Sequence, residues 1–394
     1  MTWSRGPVDE RFEFMQKYDS GEYSVTELCA QKGISRACGH KWIRRWRALG
    51  QAGLEELSRA PLSSPHKKSA ELVETLLRLK REYPWFGPVT LTDMLADRDG
   101  VRPMAASTAG EILKEHGFVR SRSRRRRIVA GRGEKPVNAP GAGHTMTADY
   151  KGQFRLADGT LCYPLTILDP VSRYLMAIEA LDGPAERPAR RVFERVFQEF
   201  GVPDQILTDN GVPFCNRRSL GGLTKLAKWW IDLGATPVRI EPGKPQQNGV
   251  HERMHRTLKE AAATPPQENR RQQQRVFDRF RYEYDILRPH RSVSRKPPAT
   301  IQRQYRIPFR ERIESYDYAA YVEPRRVRSN GQIKWLGEQF FLTEVLAGEF
   351  VALEQIDNDE WDIWYRHVVI GTFDARRRRV TPAADREAPP RDDD

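Results

Sequence analysis

The segment between residues 144 and 208 constrains the fold of this chain more than any other. From 146 to 154 apolar side chains alternate with polar ones, and Asp149 stands among the polar ones. Such alternation predicts a half-buried strand with Asp149 on its polar face. Further turn-delimited segments follow, namely strands at 161–168 and 174–181, a helix at 185–200 and a buried strand at 205–208. Three antiparallel strands followed by alternating helix and strand predict a mixed α/β core.

The predicted core extends to residue 305 and is of the ribonuclease H type. A helix containing Trp229 and Trp230, a short strand at 236–240, and helices at 249–262 and about 267–287 complete it. Asp209 directly follows the buried strand at 205–208. Open α/β sheets place functional groups outside the carboxyl ends of their strands. Asp209 is therefore a candidate functional residue.

Each candidate carboxylate has an ordinary explanation when it is considered alone. Asp149 could be an exposed strand residue, and Asp209 before Asn210-Gly211 could belong to a turn. Glu252 falls in the first turn of a predicted helix, for which Asn248 can provide the N-cap, and an acidic side chain there favours the positive helix end. The predicted apolar stripe of this helix is Val250, Met254, Leu258 and Ala261, and the polar face is Glu252, His255, Arg256 and Lys259. One carboxylate among cations suits a metal ion beside bound phosphates.

Residues 8–60 predict a helix-turn-helix domain. A short helix at 25–30 and a turn containing Gly33 precede a helix from Arg36 to about Leu49, with Ser35 as its N-cap. One predicted face of the second helix is apolar (Cys38, Trp42, Trp46, Leu49), and the other is basic (Arg36, His40, Lys41, Arg44, Arg45, Arg47). A basic second helix is typical of one that enters the DNA major groove, although a solvated basic face gives the same pattern. We take Arg36, His40, Lys41 and Arg44 as candidate DNA contacts.

A second helix-turn-helix or winged-helix-like unit is predicted at 66–127. Its helices are expected at 70–81, 90–97 and 108–116, the last opened by a capping box of Thr108 and Glu111. The unit ends in a basic run, Arg124, Arg125, Arg126 and Arg127, and a Gly/Pro-rich linker at 128–143 follows. Such a run suits a segment lying along DNA phosphates, although a solvated linker is the alternative.

The C-terminal part, 320–380, has the pattern of a small SH3-like β-barrel that binds DNA or a partner. Asn330-Gly331 predicts a hairpin and Asp357-Asn358-Asp359 a second turn. Residues 381–394 are expected to be a disordered tail. The whole chain is thus predicted to be multidomain α+β, with all-α N-terminal units, a mixed α/β core and a β-rich end.

The composition favours nucleic acid as the partner. The formal net charge is +13, which favours a long acidic partner. No apolar run reaches the roughly 18 residues that a membrane span needs, and the first residues lack the apolar stretch of a secretory signal. We therefore expect a cytoplasmic, nucleoid-associated protein with no membrane partner. A phosphate-binding Gly-x-x-x-x-Gly-Lys-Ser/Thr loop is missing from the sequence, so no nucleotide cofactor is expected.

Taken together, three motifs resemble those of the DDE transposases of bacterial insertion sequences, whose catalytic core is related to retroviral integrases. The motifs are Asp149-x-x-Gly152-x-Phe154, Thr208-Asp209-Asn210-Gly211-x-Pro213-Phe214, and the segment 242–259 with Gln247-Asn248-Gly249 and Glu252-Arg253. The resemblance includes the segment Arg281–His290 and the leading helix-turn-helix, and it covers most of residues 20–300. The sequence departs from the family in three ways. Met146 stands where the family commonly has a tryptophan, three residues before the first Asp, and the zinc domain of retroviral integrases is missing. The gap between Asp209 and Glu252 is also longer than in retroviral integrases, with the Trp229-Trp230 segment as the expected insertion.

The resemblance implies that Asp149, Asp209 and Glu252 are catalytic and hold two Mg²⁺ ions, for which Mn²⁺ can substitute. Mg²⁺ prefers oxygen ligands, and two such ions stabilise the attacking and leaving oxygens of an in-line displacement. Arg256 and Lys259 are then candidate phosphate contacts. The implied partners are double-stranded DNA, as the terminal inverted repeats of the element and the target, and further copies of this chain as a homo-oligomer on DNA.

These observations predict a transposase that cleaves DNA at element ends and joins them to target DNA. The alternative is a non-catalytic DNA-binding regulator derived from a transposase, which would bind DNA without cutting it. A structure-selective nuclease of the same fold would cut DNA without joining ends.

Overall fold

The computed structural model describes residues 7–57, 68–96, 100–119, 141–216, 219–241 and 248–383, and the chain divides into two compact units, 1–68 and 69–394. Several predictions lie outside the described residues: the basic run Arg124–Arg127, the linker up to residue 140, the segment 242–247 and the tail from residue 384. Among the described residues, no helix is both long and apolar enough to cross a membrane.

The first unit is all-α, as predicted, and it contains a first helix that the sequence analysis did not delimit. Its helices are α1 (Pro7–Asp19), α2 (Val25–Gln31) and α3 (Arg36–Leu49). Ser24 and Glu27 form a capping box that begins α2, and the Ser35 side chain caps α3. The prediction that Leu49 belongs to the apolar face of α3 is wrong, since it is 61% exposed. The helix ends there, the chain reverses at Gly50, and the buried Leu54 packs in the core instead.

Three more helices begin the second unit: α4 (Ala70–Glu82), α5 (Pro88–Met94) and α6 (Ala106–Glu115). The prediction of a capping box at Thr108 is wrong, because α6 begins two residues earlier with Ala105 as its N-cap, and no side chain caps it. Helix α5 also begins two residues before its predicted start at residue 90. It begins at Pro88, and the fixed φ of proline suits the first position of a helix.

The central core has the predicted mixed sheet. Its elements are β1 (Thr145–Tyr150), β2 (Phe154–Arg155), β3 (Leu161–Leu168), β4 (Leu175–Leu181), α7 (Glu186–Phe200), β5 (Gln205–Thr208), α8 (Lys225–Asp232), β6 (Thr236–Arg239), α9 (Gly249–Ala262) and α10 (Arg270–Tyr282), followed by a π-helical turn at Glu283–Leu287. The strand order is β4-β3-β1-β5-β6, and β2 pairs with the start of β3. Strands β4, β3 and β1 are antiparallel, whereas β1, β5 and β6 are parallel.

Helices cover the sheet on both faces. Side chains of α7 and α8 pack with Met146 and Ala148 on one face, and those of α9 and α10 pack with Leu168 and Leu175 on the other. The prediction of a half-exposed β1 is therefore wrong: Thr145 and Thr147 are buried as well. Trp229 and Trp230 lie on α8, which is the crossover between the parallel strands β5 and β6.

The C-terminal part forms two sheets. Its strands are β7 (Glu323–Arg326), β8 (Gln332–Trp335), β9 (Glu338–Phe341), β10 (Phe350–Asp357), β11 (Glu360–Tyr365), β12 (Val368–Asp374) and β13 (Arg379–Pro382). Five form an antiparallel sheet in the order β13-β12-β11-β10-β7, and β8 pairs with β9. The SH3-like barrel is not confirmed, since β13 and β7 do not pair with each other in the described structure. The Asn330-Gly331 turn links β7 and β8, which pair with different strands, whereas the predicted turn after Asp357 joins β10 and β11 as a hairpin.

The five-stranded sheet packs on the α/β core through α8. Val351, Ile363 and Tyr365 belong to the same buried cluster as Trp229 and Trp230 of α8. Asp232, at the end of α8, accepts a hydrogen bond of 2.6 Å from the Tyr365 hydroxyl. It also forms ion pairs with Lys228 and with Arg366, at 2.8 and 2.9 Å. Apolar burial and a buried ionic cluster therefore hold the C-terminal sheet to the core.

Candidate active site

Asp149 and Asp209 lie side by side at the carboxyl ends of neighbouring parallel strands. The register of β1 and β5 pairs Thr145 with Gln205 and continues to Ala148 opposite Thr208. Asp149 is the next residue of β1, and Asp209 directly follows the last residue of β5. Neighbouring strands are about 4.8 Å apart, so the sheet itself brings these carboxylates together.

Glu252 reaches the same region because two histidines attach α9 to the sheet. His251 is fully buried, with Nδ1 3.0 Å from the Thr147 hydroxyl and Nε2 3.1 Å from the Thr166 hydroxyl. His255 Nε2 lies 2.8 Å from the same Thr166 hydroxyl, which in turn donates to the backbone carbonyl of Asp149. The prediction that His255 shares the exposed face of Glu252 is wrong, since its side chain is only 13% exposed. The buried stripe of α9 is His251, Met254, Leu258 and Ala262, whereas Glu252, Arg256 and Lys259 are exposed as predicted.

Asp149 is the electrostatic centre of the group. Burial, followed by the negative charges of Asp209 and Glu252, raises the pKa of Asp149 to about 7. Its Oδ2 accepts a 3.1 Å hydrogen bond from Asn248 Nδ2. Asn248 therefore acts differently from the prediction, because its side chain makes no capping bond to α9 and binds Asp149 instead.

The donor set fits hard divalent cations. In the described part of the chain, no three His, Cys, Asp or Glu side chains lie close enough together to enclose one metal ion. The nearest basic group to Asp149 is His255, 3.9 Å away, and burial lowers the pKa of His255 to about 4, so it is neutral at pH 7. A buried carboxylate beside two others is a site where a dication would relieve the repulsion, and oxygen ligands are those that Mg²⁺ prefers.

Cationic side chains follow the carboxylates after β1 and along α9. Lys151 stands two residues after Asp149, and burial together with the neighbouring charge of Lys259 lowers the pKa of the Lys151 ammonium. Lys259 and Arg256 are exposed on α9. The sequence analysis did not select Lys151, although its position two residues after Asp149 in the alternation over 146–154 was a usable signal, since alternate strand residues share a face.

The basic face of α3 is exposed as predicted. Arg36, His40, Lys41 and Arg44 are all exposed, whereas Arg45 is half-buried and its guanidinium lies 4.6 Å from the centre of the Trp42 ring. Arg47 donates to the Tyr18 hydroxyl and so belongs partly to the packing of α1 against α3. The four exposed residues remain candidate DNA contacts, and Arg124–Arg127 lie outside the described residues.

The segment Arg281–His290 attaches the α4–α6 unit to the core. Trp85, in the turn between α4 and α5, donates a 2.6 Å hydrogen bond from Nε1 to Glu283 Oε2 and packs 5.2 Å from the Phe280 ring. The Arg288 guanidinium lies 5.3 Å from the Trp85 ring. This motif of the sequence therefore has a structural role in joining the two parts.

Four family models match the chain. Integrase core domain models match residues 139–245 and 233–298, and the sheet with the three carboxylates lies in this region. A helix-turn-helix domain model matches residues 10–61, and a homeodomain-like model matches residues 38–113. The fold and these matches define a protein with an integrase core preceded by helix-turn-helix domains.

The relatives agree with that description. An insertion element IS476 uncharacterized 39.2 kDa protein from Xanthomonas euvesicatoria is 27% identical over 285 residues, covering 70% of this chain and 77% of the relative. The match to the Pol polyprotein of feline endogenous virus ECE1 is 33% identical over 98 residues, 25% of this chain and only 9% of that polyprotein. The chain therefore contains an integrase core domain and helix-turn-helix domains and is similar to a bacterial insertion-element protein, which agrees with a general role in DNA integration or transposition.

Solved structures show weaker likeness. The HTLV-2 integrase catalytic core domain, solved in complex with magnesium, aligns over 42% of this chain and 99% of its own length, with 13% identity and a TM-score of 0.34. The simian T-cell lymphotropic virus intasome aligns over 75% of this chain and 97% of its own chain, with 14% identity and a TM-score of 0.37.

Proposed function

We propose that this protein cleaves DNA at the ends of its element and joins the freed ends to target DNA, with Asp149, Asp209 and Glu252 as the catalytic carboxylates. The observation that supports this proposal most is that two further carboxylates, Asp209 and Glu252, act on Asp149. The strand register places Asp209 beside it, and the charge of Glu252 acts on it from α9. Three carboxylates from three elements that converge in this way suit phosphoryl transfer, in which electrostatic stabilisation dominates catalysis.

The three carboxylates would hold two Mg²⁺ or Mn²⁺ ions, which supply Lewis-acid stabilisation of the attacking and leaving oxygens. The protein positions these ligands. Asn248 fixes one oxygen of Asp149, and His251 and His255 fix α9 against β1 and β3. Lys151, Arg256 and Lys259 supply positive charge for the phosphates of bound DNA. In the first step water attacks a phosphodiester at the element end and the 3′-oxygen of the element strand leaves as a free 3′-OH. In the second step this 3′-OH attacks a phosphodiester of the target, and the 3′-oxygen of the target strand leaves.

Arg36, His40, Lys41 and Arg44 on α3 would contact the terminal repeats in the major groove, and the basic run Arg124–Arg127 would follow the DNA backbone. Since joining two element ends requires both in one complex, the active form is proposed to be a homo-oligomer assembled on DNA.

Strand transfer by the purified full-length chain tests the proposal. A duplex from the flank of its own gene, target plasmid and Mn²⁺ or Mg²⁺ should give joined products. Asp149→Ala, Asp209→Ala and Glu252→Ala should each abolish them, whereas Asp278→Asn, at an exposed carboxylate on α10, should leave them unchanged. Binding without any cleavage would support the regulator, cleavage without joining would support the nuclease, and joining by Asp149→Ala would refute the site.

A further inference from the structure

A second cluster of charged side chains lies beside the candidate active site. Arg173 belongs to the turn between β3 and β4, Arg253 directly follows Glu252 on α9, and Arg288 follows the π-helical turn. The backbone N–H of Leu175, two residues after Arg173, donates to Asp285, next to Tyr284, and Met254, next to Arg253, shares a buried cluster with Tyr284. Burial raises the pKa of Tyr284 to about 12, and the charges of the three arginines act to lower it. The Arg288 guanidinium is 5.4 Å from the centre of the Tyr284 ring.

These three guanidinium groups are not neutralised within the described part of the chain, where none of them forms an ion pair or donates a side-chain hydrogen bond. The Nε atoms of Arg173 and Arg288 are buried and lack a partner. Both side chains are half-buried, and this burial lowers the pKa of both arginines. A buried N–H group without an acceptor costs about 1–3 kcal/mol, so such groups in native proteins call for a partner.

The neighbouring carboxylates are already engaged. Asp169 acts on Arg173, but its oxygens accept from the backbone N–H groups of Gly143, Val171 and Ser172 and from the Tyr305 hydroxyl. Asp285 accepts from the backbone N–H of Leu175, and burial raises the pKa of Asp285 well above its usual range. Neither carboxylate is within ion-pair distance of the three arginines, so the cluster retains excess positive charge.

The backbone at Arg173 is unusual for an arginine. Its φ is +68°, a left-handed conformation that non-glycine residues adopt at a cost of order 1 kcal/mol. A hydrogen bond from Arg173 N to Asp169 O closes this turn. Glycine would relieve the strain, but it would also remove one of the three guanidinium groups.

The position of the cluster indicates which anion it meets. Arg253 is adjacent to Glu252, and Arg288 lies against Trp85 of the α4–α6 unit. DNA that is held by the α4–α6 unit and reaches Glu252 would pass this cluster. We propose that Arg173, Arg253 and Arg288 form a binding site for one backbone phosphate of the DNA end that enters the candidate active site. This inference rests on the proposed function, because it requires DNA at that site.

The salt dependence of DNA binding by the full chain tests the phosphate site. The probe is a fluorescent 40-base-pair duplex from the flank of the gene, titrated between about 50 and 200 mM salt. Each neutralised phosphate contributes about 0.9 to the slope of log K against log salt concentration. Arg173→Gln and Arg288→Gln should each reduce the slope by up to about 0.9, and the double variant by no more than either alone, because they share one phosphate. Arg191→Gln, at an exposed site on α7 on the other face of the sheet, is the matched control and should keep the wild-type slope.

A purely structural role would give a different result. If Arg288 only packs on Trp85 and Tyr284, Arg288→Gln would lower the midpoint of thermal unfolding and leave the slope unchanged, which would overturn the proposal. Inorganic phosphate could instead raise the midpoint of thermal unfolding of the wild type but not of Arg288→Gln, while the salt slope of DNA binding stays the same in both. That result would assign the cluster to a free anion and would also overturn the proposal. Strand transfer by the wild type together with an unchanged slope in both variants would refute the phosphate site while the proposed function stands. If the wild type neither binds nor joins DNA, both fail.

Discussion

Asn248 Nδ2 donates a hydrogen bond of 3.1 Å to Oδ2 of Asp149, and so links the start of α9 to the end of β1. Asn248 is only 7% exposed, and its side chain leaves the helix uncapped in order to make this contact. The bond selects one orientation of the Asp149 carboxylate and ties the helix that contains Glu252 to it.

Removal of this bond should impair catalysis more than folding. We expect Asn248→Ala to lower strand transfer by about 10- to 100-fold, since a hydrogen bond to a charged group contributes about 1.5–3 kcal/mol. Asn248→Gln, which retains the amide at the wrong distance, should be nearly as impaired. Rates at saturating Mn²⁺ measure the effect, and a wild-type rate in Asn248→Ala would show that Asp149 is oriented by other groups.

The contact between Trp85 and Glu283 should couple the α4–α6 unit to the core. Glu283 is buried and accepts from Trp85 and from Arg279, the latter at 2.7 Å. In a double-mutant cycle of Trp85→Phe and Glu283→Gln, followed by urea unfolding, we expect a coupling energy of about 1–2 kcal/mol. Additive effects of the two substitutions would mean that ring packing alone joins the two parts.

Asp232 should stabilise the chain far more than a surface carboxylate does. Its side chain is 3% exposed and contacts the ammonium of Lys228, the hydroxyl of Tyr365 and the guanidinium of Arg366. Asp232→Ala would leave two buried cations short of their partner, so we expect a loss of about 3–5 kcal/mol in the free energy of unfolding. Asp359→Ala, which breaks the exposed pair with Arg376, should cost at most about 1 kcal/mol. Similar losses in both variants would contradict the buried role of Asp232.

His290 should make the fold sensitive to acid. Burial, reinforced by the charge of Arg288, lowers the pKa of His290 to about 3, against an ordinary value of 6.5. Between those values the unfolded chain binds a proton that the folded chain excludes, so this contribution to stability is complete above pH 6.5 and is lost as pH falls towards 3. The raised pKa of Asp149 acts in the opposite direction near pH 7. A comparison of the wild type with His290→Gln isolates the effect of the histidine. As the pH falls from 6 to 4, the free energy of unfolding of the variant should decrease by about 1.4 kcal/mol less per pH unit than that of the wild type. Equal slopes in urea titrations would show that His290 is protonated in the folded protein.

Much of the core follows from local sequence pattern. The strands β3 and β5 have their predicted bounds, and the positions of Asp149 and Asp209 follow from the alternation in β1 and the end of a buried strand. Apolar periodicity and turn residues specify such elements locally. The register between strands is not a local property. The sequence could therefore predict that the two strands belong to one sheet, but not that Ala148 pairs with Thr208.

The environment of α9 could not be read from the sequence. A hydropathy scale treats His251 as a polar residue, yet its side chain is fully buried. It can be buried because the Thr147 and Thr166 hydroxyls, on two different strands, form hydrogen bonds with both ring nitrogens. Asn248 has the residue type of a helix cap, and only the proximity of Asp149 gives it another role. Closure of the C-terminal strands likewise depends on how distant edges meet, which local sequence does not specify, and the predicted barrel is not confirmed.

The packing of the C-terminal sheet on α8 limits where the chain can be divided. The integrase core matches end at residue 298, but the apolar cluster around Trp229 and Trp230 continues into Val351 and Ile363. A chain truncated after residue 310 would expose that cluster to water and would leave Asp232 without Tyr365 and Arg366. We therefore expect such a fragment to aggregate, and soluble expression of the core to require residues up to at least 383.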